Sequence, residues 1–474
     1  MKIFLCLLFA LAFSIPLTIV SAQTVQKSTL DDQSGVEVTV YNANLGLVKD
    51  MRKLTLPKGE GELRFRDVAA HIMPVTVHVK SVDHPDSFSV LEQNYEYDLI
   101  NSKKLLDKYV GKKIKIMDWN RYQDRKEVVE ATLLSNNQGP IYRIKGEIYL
   151  GHPGVQVLPK LPENLIAEPT LTWMYRNDTD KPHQLEVSYL TQNLNWVADY
   201  VLVLNKDDTK ADLSGWVTID NKSGATYKNA RLKLVAGEIH RAAPIPPPAS
   251  TMERSMAAPM KSKPAFEEKS FFEYHIYDLQ RRTTIKDKQT KQISLLQADG
   301  SIVRKELLVY GIKSYFTRKY QPRNPKQPVN VYIKFKNSKE NKLGMPLPKG
   351  TMRLYKKDDG GSQQFIGEDS VEHTPKNEEV KLKIGDAFDV VAERRQTDFK
   401  QITSRLFESE WEVKVRNHKE KEVTVGLIEP LFGNWQVVQK SHDFKKLDAF
   451  TIRFDVKVPK DGEAVVKYRV RIGI

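Results

Sequence analysis

The feature of this sequence that most constrains its fold is a two-residue alternation of apolar and polar side chains. Clear examples span residues 329–335, 450–458 and 466–474, and more than a dozen such runs occur between turns rich in Gly, Asn, Asp and Pro. Successive side chains of a strand point to opposite faces, so this period predicts antiparallel strands with one face on a core. The sequence therefore predicts an all-β fold made of β-sandwich-like units.

One local pattern recurs within these runs: two alternating apolar residues, a polar residue, and then asparagine. Its five copies end at Asn42, Asn177, Asn221, Asn337 and Asn417. Polar turns and a new apolar strand follow the last four copies. Asparagine tolerates left-handed backbone and can cap a turn with its side chain, so the pattern predicts several hairpins built to one plan. The irregular intervals do not fit a solenoid or a propeller.

The N-terminus has the composition of a secretory signal peptide. Lys2 precedes an apolar run over residues 3–20, and a cleavage between Ala22 and Gln23 would leave small residues just before it. We therefore expect residues 1–22 to be removed and the chain to be exported to a periplasm, the cell surface or the medium. An uncleaved anchor is the alternative, since the run is just long enough to span a bilayer. No later segment is apolar enough for an integral membrane span.

Cysteine content and charge narrow the possible functions. The single cysteine, Cys6, lies in the signal segment, so the mature chain has no thiol for catalysis, for metal binding or for a disulfide. The formal net charge is +14, with lysine and arginine spread along the chain rather than concentrated in blocks. Export argues against a nucleic-acid partner. The partner is unknown from the sequence, and anionic envelope polysaccharide or another envelope protein are the classes that fit.

The domain organisation follows from breaks in the alternation. A helical pattern is confined to residues 98–109, and the short strands of 110–158 are compatible with a small barrel. Prolines mark a connection near 159–169 and are denser in 241–265, which predicts a disordered Pro-rich loop. The predicted segments are a signal peptide over 1–22, an N-terminal β-rich domain with one short helix over 23–158, a linker over 159–169, the first part of the main domain over 170–320 with the loop 241–265 inside it, and a C-terminal β-sandwich-like part over 321–474.

A series of motifs in the second half of the chain resembles one family. The motifs are Tyr189–Thr191, Leu194–Tyr200, Leu213–Gly224 and Leu232–Gly237. In this order they resemble exported bacterial proteins that share a domain of unknown function, some of which are labelled mucoidy-inhibitor-like. The resemblance covers roughly residues 165–474. It implies a structural role for a set of motif residues: Tyr189, Trp196, Tyr200, Gly215, Asn221, Ser223 and Gly224.

The resemblance has limits that matter for function. Many proteins of this kind carry a long coiled coil upstream of the main domain, whereas residues 98–158 here contain no sustained heptad repeat. The family brings no catalytic residues and no cofactor to this chain. Its mucoidy label points to the control of surface polysaccharide. Trp196 and Tyr200 could stack on a sugar ring, although aromatic residues in such strands more often pack in the core.

Two motifs resemble parts of hydrolase sites. Lys222-Ser223-Gly224 matches an element of penicillin-binding enzymes, but the Ser-x-x-Lys that supplies their nucleophile is absent from the sequence. Glu408 and Glu410 would share one face of a strand, as paired acid and base carboxylates of a glycosidase would. They precede a strand start, where solvated glutamates are ordinary.

The histidines do not predict a metal site. The closest group is His71, His78 and His84, whose spacing fits no usual metal site. The leading hypothesis is therefore an exported, non-enzymatic cell-envelope binding or scaffolding protein without metal or cofactor. The alternative is a hydrolase acting on envelope glycan or peptide, because a site assembled from distant residues is invisible in one sequence.

Overall fold

The structure is a computed structural model that describes residues 25–96, 101–120, 124–162, 168–237, 266–271, 273–322, 324–358 and 360–474. Three sequence-based predictions lie outside the described residues: the signal peptide, its cleavage position and the loop 241–265. The predicted linker 159–169 lies only partly within them. The prediction of an all-β fold with sandwich-like units is confirmed. The described residues form 33 strands, one α-helix and five short 3-10 helices.

The described part of the first half of the chain contributes sixteen strands. In chain order they are β1 (Val25–Ser28), β2 (Gln33–Tyr41), β3 (Leu45–Leu54), β4 (Gly59–Arg66), β5 (His78–Ser81), β6 (Phe88–Glu96), β7 (Lys113–Asn120), β8 (Arg125–Ser135), β9 (Ile141–Ile144), β10 (Glu147–Leu150), β11 (Val155–Val157), β12 (Thr170–Asn177), β13 (His183–Gln192), β14 (Leu194–Leu204), β15 (Lys210–Asn221) and β16 (Tyr227–Ala236).

The second half continues as strands joined mostly by tight turns. They are β17 (Phe266–Phe271), β18 (Tyr274–Leu279), β19 (Thr283–Ile285), β20 (Gln289–Ile302), β21 (Arg304–Tyr310), β22 (Lys326–Gln327), β23 (Asn330–Lys336), β24 (Gly350–Lys357), β25 (Gln363–Val371), β26 (Glu379–Asp386), β27 (Val390–Thr403), β28 (Leu406–Asn417), β29 (Val423–Pro430), β30 (Asn434–Lys440), β31 (Phe444–Asp448), β32 (Thr451–Val458) and β33 (Gly462–Gly473). The 3-10 helices are Leu30–Asp32, Pro74–Thr76, Pro85–Ser87, Lys313–Phe316 and Lys339–Asn341.

The chain divides into two compact units. Of the described residues, those up to Val36 and from Lys49 to Tyr189 form unit 1, and those of Glu37–Val48 and Leu190–Ile474 form unit 2. The division falls inside strands β2, β3 and β13. The domain boundaries expected from the sequence stay predictions.

Unit 1 contains a four-stranded sheet in the order β1-β4-β12-β6. Alternation along β4 and β12 buries Leu63 and Phe65 on one strand and Trp173 and Tyr175 on the other. The rings of Phe65 and Trp173 lie 5.3 Å apart. The sheet therefore has one core face, as the two-residue period predicts.

A second sheet of unit 1 has the order β10-β9-β8-β7-β11, with β10 and β11 at its two ends. The predicted helix lies just before it as α1 (Ser102–Lys108), and the Asn101 side chain caps its first turn by accepting from the Lys104 N–H at 2.9 Å. This small sheet has its own hydrophobic core, formed by Tyr109, Ile114, Ile116, Ala131, Leu133, Tyr142 and Ile144.

Unit 2 contains three sheets of five or six strands, ordered β20-β15-β14-β24-β25, β26-β23-β21-β29-β32-β31 and β22-β27-β28-β33-β30. Its main core joins the inner faces of the last two, so that they form a β-sandwich around residues such as Trp411, Phe454 and Tyr468. A further set of strands runs β17-β18-β16, and residues 37–41 of β2 pair with β16.

Several pairings depart from the antiparallel pattern expected from the sequence. β14 pairs with β24, β21 with β29, and β16 with β2 in parallel. Tight turns can join only antiparallel neighbours, whereas parallel neighbours need long connections. These parallel pairs indeed join strands far apart in the chain, as the register Ala198↔Gly350 shows.

The recurring asparagine holds two turns together in four of its five copies. At Asn417, the side-chain Nδ2 donates to the carbonyls of Lys421 at 2.8 Å, Val458 at 3.3 Å and Pro459 at 2.9 Å. Its Oδ1 accepts from the N–H of Lys419 at 3.0 Å. We call this arrangement the asparagine clamp. It recurs, fully buried, at three further positions: Asn177, Asn221 and Asn337.

In each clamp two of the three carbonyls belong to a turn that is distant in sequence. Two residues after the second of these carbonyls, every copy has a residue with positive φ. These residues are Gly59 (97°), Lys288 (54°), Asn377 (70°) and Asp461 (44°). The expected side-chain cap is therefore confirmed, but the left-handed residue lies in the partner turn and not at the asparagine. Asn42 differs, since its Nδ2 donates to the Trp196 carbonyl at 3.2 Å.

Candidate functional site

Trp196 and Tyr200, the aromatic candidates for sugar stacking, lie in the core of unit 2. Trp196 is 1% exposed, and its indole N–H donates to the Val235 carbonyl at 3.2 Å. The Tyr200 hydroxyl donates to the Pro348 carbonyl at 2.8 Å, and burial raises the pKa of this hydroxyl well above its usual value. Neither ring offers a face to a ligand, so both act in packing.

Tyr189 and Gly215 also lie where packing requires them. The Tyr189 hydroxyl accepts from the Ala69 N–H at 3.3 Å inside unit 1. Gly215 lies opposite Tyr200 in the β14–β15 ladder. A Cβ at Gly215 would lie 3.2 Å from the Tyr200 ring and 2.9 Å from the Leu296 side chain, so the close approach of the ring excludes a larger residue.

The remaining motif residues share one turn. Ser223 Oγ bonds to Asn221 Oδ1 at 2.8 Å and to the Tyr227 hydroxyl at 2.9 Å, and Ser223 is fully buried. Gly224 has a φ of 82° and donates its N–H to Asp287 Oδ1 at 3.0 Å. A buried hydroxyl bonded to an amide and a phenol has no access to a substrate. The geometry of Lys222-Ser223-Gly224 is that of a turn.

The two carboxylates of the glycosidase hypothesis lie within β28 and not before a strand start, and both are bound by arginines. Arg469 contacts Glu408 at 3.0 Å and Glu410 at 3.0 Å, and Arg471 contacts Glu408 at 2.8 Å. The hydrogen bond from Arg471 holds the pKa of Glu408 below its usual range. A general acid needs a raised pKa, so Glu408 is poorly suited to that role.

A hydrogen-bonded Ser–His–Asn row in unit 1 is not evident from the sequence. Ser81 Oγ lies 2.9 Å from His183 Nδ1, and His183 Nε2 lies 3.0 Å from Asn177 Oδ1. The order of groups resembles a catalytic triad. However, Ser81 is 2% exposed and His183 is fully buried, so no substrate carbonyl can reach the hydroxyl. The row instead fixes the side chain of the Asn177 clamp.

The row gives unit 1 a pH dependence. Burial, with a contribution from His84, lowers the pKa of His183, so the folded chain binds a proton less readily than the unfolded chain. We expect unit 1 to lose stability as the pH falls through about 6.5, the ordinary histidine pKa. His183→Gln should flatten this dependence, as measured by urea midpoints on either side of that pH. His71→Gln, at an exposed position, is the control, and an unchanged slope in His183→Gln would contradict the assignment.

A second sealed cluster lies in the core of unit 2. The guanidinium of Arg394 contacts Glu429 Oε1 at 2.7 Å, and neither side chain is exposed. Arg394 also donates to the Tyr468 hydroxyl at 2.8 Å and to Gln327 Oε1 at 2.9 Å. A Cβ at Gly311 would lie 2.0 Å from Glu429 Oε2, so glycine there makes room for the carboxylate. The pair is structural because no surface opens onto it.

Among the described residues, a candidate ligand site is a cleft of ≈ 260 Å³ in unit 2. It lies where the ends of β14 and β24 approach β21, β23 and β26. Its walls are largely aliphatic, and two of its charged residues, Lys305 and Lys356, contact a third, Asp208. The lining residues are Leu204, Val331, Ile333, Ile366, Ile384 and Gly385, with the charged Asp208, Lys305, Lys356 and Asp386.

A short turn fixes the central carboxylate of this cleft. Asp208 has a φ of 57° in the turn between β14 and β15. The Asn205 side chain holds the turn by accepting from the N–H groups of Thr209 at 2.9 Å and Lys210 at 3.0 Å. Asn205 also accepts the Asp208 N–H through its carbonyl at 3.3 Å. The carboxylate is thus held in place by its own loop.

Two lysines share that carboxylate. Lys305 Nζ lies 2.8 Å from Asp208 Oδ2, and Lys356 bonds to Asp208 Oδ1. Partial burial by itself raises the pKa of Asp208, but the hydrogen bonds from both lysines outweigh it, so this pKa lies below the usual range. Asp386 is paired with Lys383 at 3.5 Å. The Lys305–Asp208–Lys356 group by itself therefore carries one net positive charge beside an aliphatic wall, because Asp386 is neutralised by Lys383, which does not line the cleft.

This charge arrangement suits binding better than acid–base chemistry. Each ammonium group has three donors, so both lysines retain capacity for an acidic or hydroxyl group of a ligand. The aliphatic wall can contact the C–H face of a sugar or another apolar group. The described residues contain no cluster of three His, Cys, Asp or Glu that could hold a metal ion. In the described part of the chain no helix has both the length and the apolar character that crossing a membrane requires.

The fold and the cleft define an all-β, sandwich-built protein with a lysine-lined cleft in its larger unit. A family model described as a domain of unknown function (DUF4139) matches residues 185–432, which is more than half of the chain and includes every residue of the cleft. The chain belongs to this family. No curated protein matches it.

Sequence reasoning missed the cleft, and one signal could have marked part of it. Asn205-Lys-Asp-Asp-Thr-Lys210 is a polar turn between two apolar strands, with two acidic residues at its tip. Such a turn predicts an exposed carboxylate but not its partners. Lys305 and Lys356 lie on strands β21 and β24, about 100 and about 150 residues after Asp208 in the chain. Only the order of strands in the sheets brings the three residues together.

Proposed function

We propose that this chain is an exported, non-enzymatic binding or scaffolding protein of the cell envelope, and that its cleft holds an acidic unit of an envelope polysaccharide. The observation that carries the proposal is the Lys305–Asp208–Lys356 arrangement beside an aliphatic wall. An acidic sugar would satisfy the excess positive charge and cover the wall. The signal-like segment 1–22 supports export, and the resemblance to mucoidy-inhibitor-like proteins supports a surface polysaccharide as the ligand class.

Binding should respond in opposite directions to two changes in the cleft. Asp208→Asn removes the carboxylate that competes with the ligand, so binding should become tighter. Lys305→Gln with Lys356→Gln removes the cationic groups and should weaken binding about tenfold, or about 1.4 kcal/mol. The measurement is cosedimentation of residues 23–474 with isolated cell-wall sacculi, lipopolysaccharide and an acidic capsular polysaccharide, at low and high salt.

Matched variants separate the cleft from general charge attraction. Glu463→Gln removes an acid that is paired with Lys414 at 3.1 Å outside the cleft, and it changes the net charge as Asp208→Asn does. Lys414→Gln with Lys419→Gln matches the double lysine variant. If each control shifts binding as much as its cleft counterpart, or if the chain binds none of the polymers, the proposed cleft function is wrong.

The hydrolase alternative has no comparable support. Its two proposed carboxylates, Glu408 and Glu410, share the guanidinium of Arg469. The triad-like row at His183 is sealed in the core of unit 1. Binding without turnover is therefore the function that the geometry favours.

A further inference from the structure

The small sheet of unit 1 exposes apolar side chains on the face opposite its core. Ile114 and Ile116 point into that core, so Lys115, Met117 and Trp119 of the same strand point outward. Residues opposite one another in a ladder share a face, and Val128 and Val155 both lie opposite Met117. Together with Trp119, they form an apolar row on this outer face.

A second apolar group lies at the other end of the same face. Ile148 lies opposite Arg143, and Arg143 lies opposite Thr132, so Ile148 shares the outer face with β8. Leu150 is two residues further along and has the same orientation. Ile148 is 63% exposed and Leu150 is 85% exposed, which is unusual for such large apolar side chains.

Positive charge lies on the same face as these two groups. The outer face carries four cationic residues, Lys113, Lys115, Lys126 and Arg143, and one acidic residue, Glu130. The Nζ of Lys113 lies 3.8 Å from Glu130, with both side chains largely exposed. The face therefore combines a net positive charge with exposed aliphatic residues and a tryptophan.

This mixture selects among possible occupants. The centres of protein–protein interfaces are depleted of lysine, because a buried ammonium group loses its water. Here Lys115 and Arg143 lie beside the apolar groups on the same face, since Lys115 is two residues from Met117 and Arg143 is opposite Ile148. A bilayer surface accommodates both, since phosphate headgroups meet the cations while aliphatic side chains and tryptophan enter the headgroup–acyl boundary.

We infer that the outer face of the β7–β11 sheet docks on the surface of an anionic lipid bilayer. The inference concerns unit 1 and is independent of the polysaccharide cleft proposed for unit 2. Trp119 and Ile148 represent the two apolar groups, and both are more than half exposed, so replacing them leaves the core of the sheet intact.

The test is sedimentation of residues 23–474, which include every described residue, with vesicles of phosphatidylcholine alone or mixed with phosphatidylglycerol. We expect binding to the mixed vesicles and a loss of at least about tenfold in Trp119→Ser with Ile148→Ser. Lys115→Glu with Lys126→Glu should weaken binding to vesicles that contain phosphatidylglycerol and should not change the result with phosphatidylcholine alone. Equal thermal midpoints of the variants and the parent chain would show that folding is unaffected.

Controls of the same chemistry lie in unit 2. Phe388→Ser with Val438→Ser removes two exposed apolar side chains, one of them 94% exposed, and should leave vesicle binding unchanged. Lys421→Glu with Lys460→Glu gives the same change in net charge as the lysine variant and should have the smaller effect. Lys305→Gln with Lys356→Gln should bind vesicles as the parent chain does, which separates this inference from the proposed cleft function.

Three results would overturn the inference. The first is vesicle binding by Trp119→Ser with Ile148→Ser that equals that of the parent chain. The second is the absence of binding to mixed vesicles. The third is that the parent chain forms a dimer and does not bind vesicles, while Trp119→Ser with Ile148→Ser is a monomer. The outer face would then contact a second copy of the chain.

Discussion

Replacing Arg394 with methionine while Glu429 remains is expected to lower the free energy of unfolding of unit 2 by about 3–5 kcal/mol. The two side chains form a fully buried ion pair with a nitrogen–oxygen distance of 2.7 Å. Removal of the cation leaves a carboxylate in a core where water cannot solvate it. Methionine approximates the length of the arginine stem, so the main loss is electrostatic and not a cavity.

The size of this loss should depend on pH. Burial raises the pKa of Glu429, and Arg394 opposes that rise. Without Arg394 the pKa of Glu429 in the folded variant rises further above about 4.3, the pKa of a glutamate in the unfolded chain. Above that pH the unfolded chain has lost the proton that the folded variant holds, so folding takes up a proton. That uptake costs more as the pH increases. We expect urea unfolding to show a larger loss at about pH 8 than at about pH 5.

Two controls isolate the buried pair. Arg394→Met with Glu429→Gln removes both charges, so it should recover much of the stability and lose the pH dependence. Arg395→Met changes the next residue of β27, whose side chain is 66% exposed, and should alter stability by no more than about 0.5 kcal/mol. An Arg394→Met loss as small as that of Arg395→Met would show that the buried pair does not stabilise unit 2.

The sequence contains a signal for this buried pair, which lies in the alternation of inward-facing and outward-facing residues along a strand. Val390 and Ala392 are the buried apolar residues at the start of β27, and Arg394, two residues further on, points to the same inner face. Glu429 interrupts an apolar run in β29. A charged residue in an inward position predicts a buried partner of opposite charge. Which charged residue Arg394 pairs with depends on two strands that face each other across the sandwich. The alternation along one strand does not predict which strands these are.

The same distinction separates what could be predicted of the fold from what could not. Alternation fixes which residues of a strand face the core, and it correctly indicates an all-β fold. It does not determine which strands are neighbours. The parallel pairing of β14 with β24 depends on complementary edges far apart in the chain. The cleft depends on that pairing, because it brings Lys356 to the turn that holds Asp208.

The asparagine pattern is predicted only in part from the sequence. Its position at the end of an apolar alternation predicts a capped turn. The second turn that Asn417 holds, at Val458 and Pro459, follows only from the structure. Four buried copies with the same bonds show that one solution to the end of a sandwich strand recurs along this chain.

Asn417→Ala is expected to lower the free energy of unfolding of unit 2 by about 3 kcal/mol. The Nδ2 group donates to three carbonyls, of Lys421, Val458 and Pro459. Each carbonyl that stays buried without a partner costs about 1–3 kcal/mol, and relaxation of the turns recovers part of this. The measurement is urea unfolding of residues 23–474, with Asn434→Ala at an exposed position of β30 as the control.

Asn417→Asp tests whether the clamp depends on donated protons or only on side-chain shape. Aspartate has the same shape, but at neutral pH it places a carboxylate oxygen against three carbonyls, and this repulsion should make it less stable than the alanine variant. At low pH a protonated aspartate can donate one bond, so the difference between the two variants should shrink or reverse. If both variants lose the same stability at every pH, the hydrogen bonds of Asn417 do not hold the two turns together, and packing alone explains the recurring pattern.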